Sequence, residues 1–480
     1  EGYEGSYRDA EDGELSMSNV EHGRVDSVIR FKMMIAPHDS KRVNYFLTAS
    51  HSARESLDIL RRIQESSIAK RMYITAKYWH KWLKPVYATA DKLPHGRRQE
   101  FLRSAMLLKA HIDKRGAIIA STDSAMLNYG RDAYAYCWPR DGAYVVWPLI
   151  RLGYIEEPQK FFSFCKRILH SDGYFSHKYR ADGAIGSSWH PYLHKDGSIS
   201  APIQTDETAM ILFMFVQFYQ SHPDQAILRD YYPNFIRPMA DFLSTYIEPR
   251  TSLPKASYDL WEEKYLTTTY TTAVTYAALI AAAEIAEAYQ QQADAVTWHS
   301  AADDMKKSAE EYLYNKSRNV FYKGIKVTEE TISFDETIDV SSVFGAFMFG
   351  LFDCDSHELK SSFETLKTVF DQPKNIGLPR YENDSYHRAH AGAPSNFWPV
   401  TTLWYAQYCF ERSDTEMAER ILDWVERHYY ESGIIAEQIS PESGYSLSVA
   451  PLAWSHAEYM ATVLDSLQIG ECPKKDSDER

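Results

Sequence analysis

The sequence predicts a mainly α protein in which six inner helices are ringed by six outer ones, preceded by part of a β-sandwich and a linker helix. Three observations predict it. Stretches with helical apolar periodicity succeed one another from residue 95 to 468. They pair through very short loops, as between 139–152 and 156–170, which makes the partners antiparallel neighbours. Groups of unlike chemistry, Trp beside Arg or a carboxylate, recur ahead of every second helix, and in an alternating double ring those helices all start on one face.

Residues 1–50 read as the C-terminal remnant of a β-sandwich domain. Segments 25–31 and 42–47 alternate apolar and polar residues around a Pro/His/Asp turn, and two strands do not make a stable sheet alone. Residues 51–90 hold a linker helix, expected from about 52 to 83 and rich in Arg, Lys, Ile and Leu. Residues 91–480 form the helical domain. Its helices are expected at 95–112, 139–152, 156–170, 205–221, 225–247, 269–292, 294–314, 338–351, 357–370, 397–411, 415–430 and 452–468.

Composition narrows the function. The 480 residues are 44% hydrophobic and 25% charged, ordinary for a folded globular chain. A net charge of -14 argues against nucleic acid and against an anionic membrane surface as partners. No apolar run of about 20 residues offers a membrane span. The five cysteines (Cys137, Cys165, Cys354, Cys409, Cys472) are scattered and odd in number, which points to a reducing compartment, the cytoplasm, and not to a disulfide framework. The 34 Tyr, 22 Phe and 11 Trp suit either a large helical core or stacking against sugar rings.

The clusters ahead of the even helices carry the chemistry. They are Trp138-Pro139-Arg140-Asp141, Gln204-Thr205-Asp206-Glu207, Asp259-Leu260-Trp261-Glu262-Glu263, Ser333-Phe334-Asp335-Glu336, Arg380-Tyr381-Glu382-Asn383-Asp384 with Trp398, and Ala436-Glu437-Gln438 with Trp454-Ser455-His456. The double ring brings them to one pocket. Glycoside cleavage needs a carboxylic acid to protonate the leaving oxygen and a carboxylate to activate water, about 6.5–9.5 Å apart when configuration inverts. Glu262, beside Trp261 and next to Glu263, is the candidate acid, because desolvation and like charge both raise a carboxyl pKa. Glu437, in a loop beside the amide of Gln438, is the candidate base. Arg140 with Asp141, and Arg380 with Asp384, can donate to and accept from vicinal hydroxyls. Trp138, Trp261 and Trp398 can wall a pyranose. Each group taken singly has a plainer explanation in helix capping, ion pairing or core packing. His190 and His456 read as structural hydrogen-bonders. No metal-ligand spacing and no phosphate-binding loop occurs, so neither metal nor cofactor is expected.

At these residues the chain resembles glycoside hydrolase family 15, the glucoamylases, glucodextranases and related microbial trehalases. The similarity lies in Tyr136-Cys137-Trp138-Pro139-Arg140-Asp141-Gly142, Pro202-Ile203-Gln204-Thr205-Asp206-Glu207, Tyr258-Asp259-Leu260-Trp261-Glu262-Glu263, Arg380-Tyr381-Glu382-Asn383-Asp384-Ser385-Tyr386, Ala436-Glu437-Gln438 and Pro451-Leu452-Ala453-Trp454-Ser455-His456, in order along most of the chain. Residues 7–13 resemble the end of the β-sandwich that precedes the barrel in prokaryotic members. The resemblance implies an (α/α)6 barrel and exo-acting hydrolysis of α-glucans or maltooligosaccharides with inversion, releasing β-glucose. It implies Glu262 as acid and Glu437 as base, Tyr134 and Gln438 positioning water, Arg140, Asp141, Glu263, Arg380 and Asp384 holding the non-reducing glucose, and Trp138, Trp261 and Trp398 as pocket walls. Trehalose is the alternative substrate on the same scaffold, and a non-catalytic saccharide-binding protein the alternative of another class. The chain departs from fungal members in carrying Ser200 where they have a Trp, with Trp189 nearest, and in a longer loop over 386–396. Both departures fall where the leaving sugar is expected.

Overall fold

The computed structural model describes residues 6–18, 20, 26–123, 134–194, 197, 199–370 and 376–468. Val25, at the head of the first predicted strand, and Cys472 lie outside them. The chain divides into two compact units, Glu1–Trp79 and His80–Arg480.

In the first unit, residues 26–31 and 42–47 form no β ladder, contrary to their alternating pattern. Alternation selects which face a strand buries, but hydrogen-bonding neighbours are what hold it extended. The expected linker helix is two helices. α1 (Ala53–Gln64) is capped by Ser52, whose Oγ accepts the Glu55 N–H at 3.2 Å. α2 (Ile68–Trp82) starts afresh where Ser67 Oγ accepts the Lys70 N–H at 3.2 Å. The paired serines 66 and 67 offer the backbone this local alternative to a continuous helix.

The second unit contains α3 (Lys84–Ala90), α4 (His95–Ala110), α5 (Pro139–Arg151), α6 (Glu156–Ile168), α7 (Thr205–Ser221), α8 (Gln225–Tyr231), α9 (Arg237–Thr245), α10 (Thr269–Ala288), α11 (Gln292–Tyr312), α12 (Val340–Met348), α13 (His357–Phe370), α14 (Pro399–Glu411), α15 (Thr415–Arg427) and α16 (Ala453–Ser466). Helices α5, α7, α10, α12, α14 and α16 each pack on the next, and α16 returns to α5. Around this closed inner ring, α4, α6, α9, α11, α13 and α15 pack on its outside. This is the (α/α)6 barrel. The sequence separates the layers: α7 is buried on all sides from Thr205 to Tyr219 except at Phe213, whereas α15 buries only Ala418, Ile421, Leu422, Trp424 and Val425 and turns its charges outward. Among the described residues no helix is long and apolar enough to cross a membrane, and Cys137, Cys165, Cys354 and Cys409 are free thiols.

The first and last outer helices are tied at the closing seam. Buried Arg97 of α4 reaches Glu419, Asp423 and Glu426 on one face of α15 at 2.6, 3.0 and 2.7 Å. The helix expected over 225–247 is interrupted by a π turn at Tyr232–Ile236. Pro233 and Pro238 supply no N–H to a regular ladder there, and the wider turn accommodates them.

Short strands lie between the helices, where periodicity gave no signal: β1 (Ser257–Tyr258), β2 (Tyr265–Thr268), β3 (Tyr314–Asn315), β4 (Val320–Phe321), β5 (Gly324–Val327), β6 (Ile332–Asp335), β7 (Gln438–Ile439) and β8 (Ser446–Leu447). β1, β2, β5 and β6 form one antiparallel sheet, with Thr268 opposite Gly324. A Cβ on Gly324 would lie 2.2 Å from the Thr267 carbonyl oxygen, so only glycine lets the two backbones meet. The sheet anchors the turn from 259 to 264 that carries Glu262.

Candidate active site

The starts of α5, α14 and α16, the β1–β2 turn and Glu437 just ahead of β7 help enclose a cavity of about 330 Å³. Tyr134, Trp138, Arg140 and Asp141 line it from the start of α5. Trp261, Glu262 and Glu263 line it from the turn, and Arg380, Trp398 and Glu437 complete the lining. Two expected site residues stand behind this wall. Asp384 is buried and bound to Arg380 and to the Tyr386 N–H, so it aims the guanidinium instead of facing the cavity. Gln438 is buried too, donating to Glu437 at 3.0 Å and accepting from Asn396 at 2.8 Å. The Ser333–Glu336 cluster does not converge: it lies on and just beyond β6 and lines a separate open groove with Lys264, Arg318 and Glu382.

Glu262 sits at the tip of its turn with φ +64°, a left-handed conformation that costs a non-glycine residue energy. Asp259 holds the turn, its Oδ1 accepting the N–H groups of Glu263 and Lys264 at 2.7 and 2.9 Å. Buried Lys323 bridges Asp259 and Asp339 at 2.8 and 3.0 Å, and Asp339 accepts the Trp261 indole N–H at 3.0 Å. The strained residue is thus fixed from three sides.

One buried guanidinium serves four carboxylates. Arg140 lies 3.2 Å from Asp206, 3.5 Å from Glu207, 3.5 Å from Glu262 and 3.7 Å from Asp141. Burial outweighs that shared cation, pushing Asp141 up to about 7, Asp206 up to about 6 and Glu207 well above its ordinary value. Arg380 is held by Asp384 in a bidentate pair at 2.7 and 2.9 Å and by Glu263 at 2.7 Å. Its guanidinium carbon lies 5.0 Å from the Trp398 ring centre and 5.4 Å from that of Trp261.

The two glutamates have different partners. Glu437 accepts from Tyr134 at 2.9 Å, from Gln438 at 3.0 Å and from Ser448. Burial nevertheless leaves its carboxyl raised, those three donors only partly offsetting it. Glu262 behaves contrary to the expectation from sequence. Burial raises its pKa, but His177 and Arg140 more than reverse this and leave it lowered. Glu263 is engaged by Arg380 and Tyr381. His177 escaped the sequence reading. It lies in a loop after α6 without a neighbouring Trp–carboxylate cluster, yet its Nε2 is 2.8 Å from Glu262 Oε2. Tyr386, Trp189 and Trp454 also line the cavity, and Ser448 reaches Glu437. The ordered motifs contain Tyr386 and Trp454, and Trp189 was noted beside the departure at Ser200, whereas Ser448 gave no sign.

His177, His190 and Glu262 each bring a donor atom within 4.8 Å of the others, a set that could hold a cation. The His177 and Glu262 atoms are already engaged, whereas both ring nitrogens of His190 are buried without a hydrogen-bond partner. Trp138 donates its indole N–H to His177 Nε2 at 3.3 Å, and Arg140 flanks Glu262. Burial and the neighbouring His177 push His190 down to about 3, and its ring stacks on Tyr258 at 3.8 Å. His456 bonds Ser104 Oγ at 3.0 Å and the Ile435 N–H at 3.1 Å, the structural role expected of it.

The profile of glycosyl hydrolases family 15 matches residues 96–413 and 410–464. The chain belongs to that family. Among its family 15 relatives, an uncharacterized glycosyl hydrolase of Methanocaldococcus jannaschii is 28% identical over 377 residues, 76% of this chain and 55% of that protein. A glucoamylase of Clostridium sp. is 24% identical over 395 residues, 75% of this chain and 52% of its own. A trehalase of Mycobacterium tuberculosis is 22% identical over 427 residues, 84% and 59% of the two chains. The chain therefore spans between half and two thirds of the length of these relatives. A bacterial glucoamylase crystallised with acarbose shares the fold at TM-score 0.69 and 20% identity, over 87% of this chain and 62% of that one.

Proposed function

We propose that this family 15 chain removes glucose from the non-reducing end of an α-glucan or maltooligosaccharide by single displacement, releasing β-glucose. The observation that carries the reading is the contrast between two glutamates in one cavity. Glu437 receives three donors and gives none, the surroundings of a carboxylate that accepts a proton from water. Glu262 has a basic imidazole as its partner and stands on a rigid turn. In the proposed reaction Glu262 passes its proton to the glycosidic oxygen as the bond to C1 breaks. Water, deprotonated by Glu437, attacks C1 from the other face. Arg140, Asp141 and Arg380 hold the hydroxyls of the terminal glucose, and Trp138, Trp261 and Trp398 wall its ring. Trehalose hydrolysis is the second reading, favoured by the trehalase match over 84% of this chain.

The test is glucose release from maltotriose, isomaltose and trehalose side by side, with the first anomer read by proton NMR. Glu262→Gln and Glu437→Gln should each lose at least about 10²-fold in turnover while still binding sugar. Near-wild-type turnover in either variant, or α-glucose as first product, overturns the proposal.

A further inference from the structure

Asn396 stands at the end of the 386–396 loop, just ahead of α14. It is buried outside the cavity wall, and the reaction above gives it no part. Its side-chain nitrogen lies 2.8 Å from Gln438 Oε1, 3.0 Å from the His387 carbonyl oxygen and 3.5 Å from that of Tyr386. His387 has φ +56°, so the loop is held at a residue in the costly left-handed region. Asp384 accepts the Tyr386 N–H at 2.9 Å and holds the same segment from its other end.

With Glu437 ionised, donor and acceptor chemistry fixes the direction of these bonds. A carboxylate only accepts, so Gln438 turns its NH2 to Glu437 Oε2 at 3.0 Å and its carbonyl to Asn396. Asn396 then faces three carbonyl oxygens and can meet them only with its own NH2. Tyr134 has a single hydroxyl proton, which goes to Glu437 Oε1 at 2.9 Å. At the 3.2 Å contact between the two phenols Tyr386 is therefore the donor, and the length makes this the weaker link. One buried amide thus stands behind both oxygens of Glu437. It reaches Oε2 through Gln438, and Oε1 through the loop that brings the Tyr386 hydroxyl to Tyr134. Ser448 adds a further donor to Oε2 that is independent of Asn396.

We infer that Asn396 and Tyr386 are positioning residues for the general base: Asn396 fixes the Gln438 amide against one oxygen of Glu437 and, through the loop that carries Tyr386, the Tyr134 hydroxyl against the other. This rests on Glu437 being the base. A carboxylate that loses donors holds its proton to higher pH, and a protonated Glu437 cannot take a proton from water. Among the described residues, the charged and titratable groups that share the cavity with it are Arg140 and Asp141 of α5, Tyr134 ahead of it, Glu262 and Glu263 of the β1–β2 turn, and Arg380 and Tyr386. Neither Asn396→Leu nor Tyr386→Phe changes a charge among them.

The experiment follows the acid limb of the pH profile. In the full chain, kcat and kcat/KM are measured against pH for wild type, Glu437→Gln, Asn396→Leu and Tyr386→Phe. The substrates are the panel saccharide that wild type cleaves best and α-glucosyl fluoride, whose leaving group needs little protonation but whose displacement by water still needs the base. Asn396→Leu should lose at least about 10-fold in kcat on both substrates while KM stays within about 3-fold. Its acid limb should rise by about 0.5 pH unit or more. Tyr386→Phe, which keeps the ring and the loop, should lose about 3-fold and raise the limb by less, and it decides the test if Asn396→Leu does not fold. An acid limb that stays in place or falls in Asn396→Leu, or in Tyr386→Phe where Asn396→Leu does not fold, overturns the inference, and so does a loss confined to the saccharide. If Glu437→Gln keeps wild-type turnover and the wild-type acid limb, the assignment of the base fails instead.

Discussion

Acid should weaken the wall that carries Glu437 through one histidine. His456 is fully buried at the start of α16. The Ile435 N–H donates to its Nε2, so its own proton sits on Nδ1 and goes to Ser104 of α4. A second proton would set two N–H groups against each other two residues before Glu437. Burial, with a lesser push from His111, takes its pKa from 6.5 down to about 3. The sign follows from which state binds the proton. Above pH 6.5 neither folded nor unfolded chain holds it, and the histidine has no pH-dependent effect. Below 6.5 the unfolded chain takes up a proton that the folded chain refuses, so stability falls until pH about 3. At about 1.4 kcal/mol per pH unit, the loss by pH 5 is about 2 kcal/mol. His456→Gln, whose amide oxygen can still accept from Ile435, does not titrate. It should be less stable than wild type by about 1 kcal/mol at pH 7.5, through the lost bond to Ser104. That gap should close or invert at pH 5. Urea unfolding of both proteins at the two pH values reads it directly. A gap that is unchanged or wider at pH 5 refutes the reasoning.

Two other substitutions probe the barrel away from the cavity. Glu458 is buried among the donors of Gln407 and Trp454, and burial raises it to about 7. The folded chain keeps a proton there that the unfolded chain releases above its ordinary value near 4.5, so wild-type stability should decline from that pH up to about 7. Glu458→Gln should gain about 2–3 kcal/mol on wild type between pH 4.5 and 8, and parallel stability curves would contradict it. Arg97→Met leaves three carboxylates of α15 facing one another across the seam. Because those acids are partly exposed, the cost should be about 2 kcal/mol, below the 3–5 kcal/mol of a fully buried pair. Thermal unfolding should shift down while kcat holds, and a matching fall in kcat would show that the seam reaches the active site.

The sequence by itself determined the helices of the barrel and their order. Apolar residues on every side of 205–219 can be satisfied only inside a ring, and one-sided stretches such as 415–427 only outside it. It also pointed to most of the groups that line the cavity, from Trp138, Arg140 and Asp141 to Glu262, Arg380 and Glu437, but not to the place of the Ser333–Glu336 cluster in a separate groove. Three things were decided only by tertiary structure. The strands at 257–268 and 324–335 are too short to show periodicity, and they exist because the backbones at Thr268 and Gly324 pair across 56 residues. The unpaired segments at 26–31 and 42–47 show the converse, an alternating pattern with no neighbour to make it a strand. The surroundings of Glu262 depend on His177, 85 positions away, whose Nε2 comes within 2.8 Å of its carboxyl oxygen. Charge and hydrogen bonding act through space over a few ångströms, and sequence spacing does not record which loops fold to that distance.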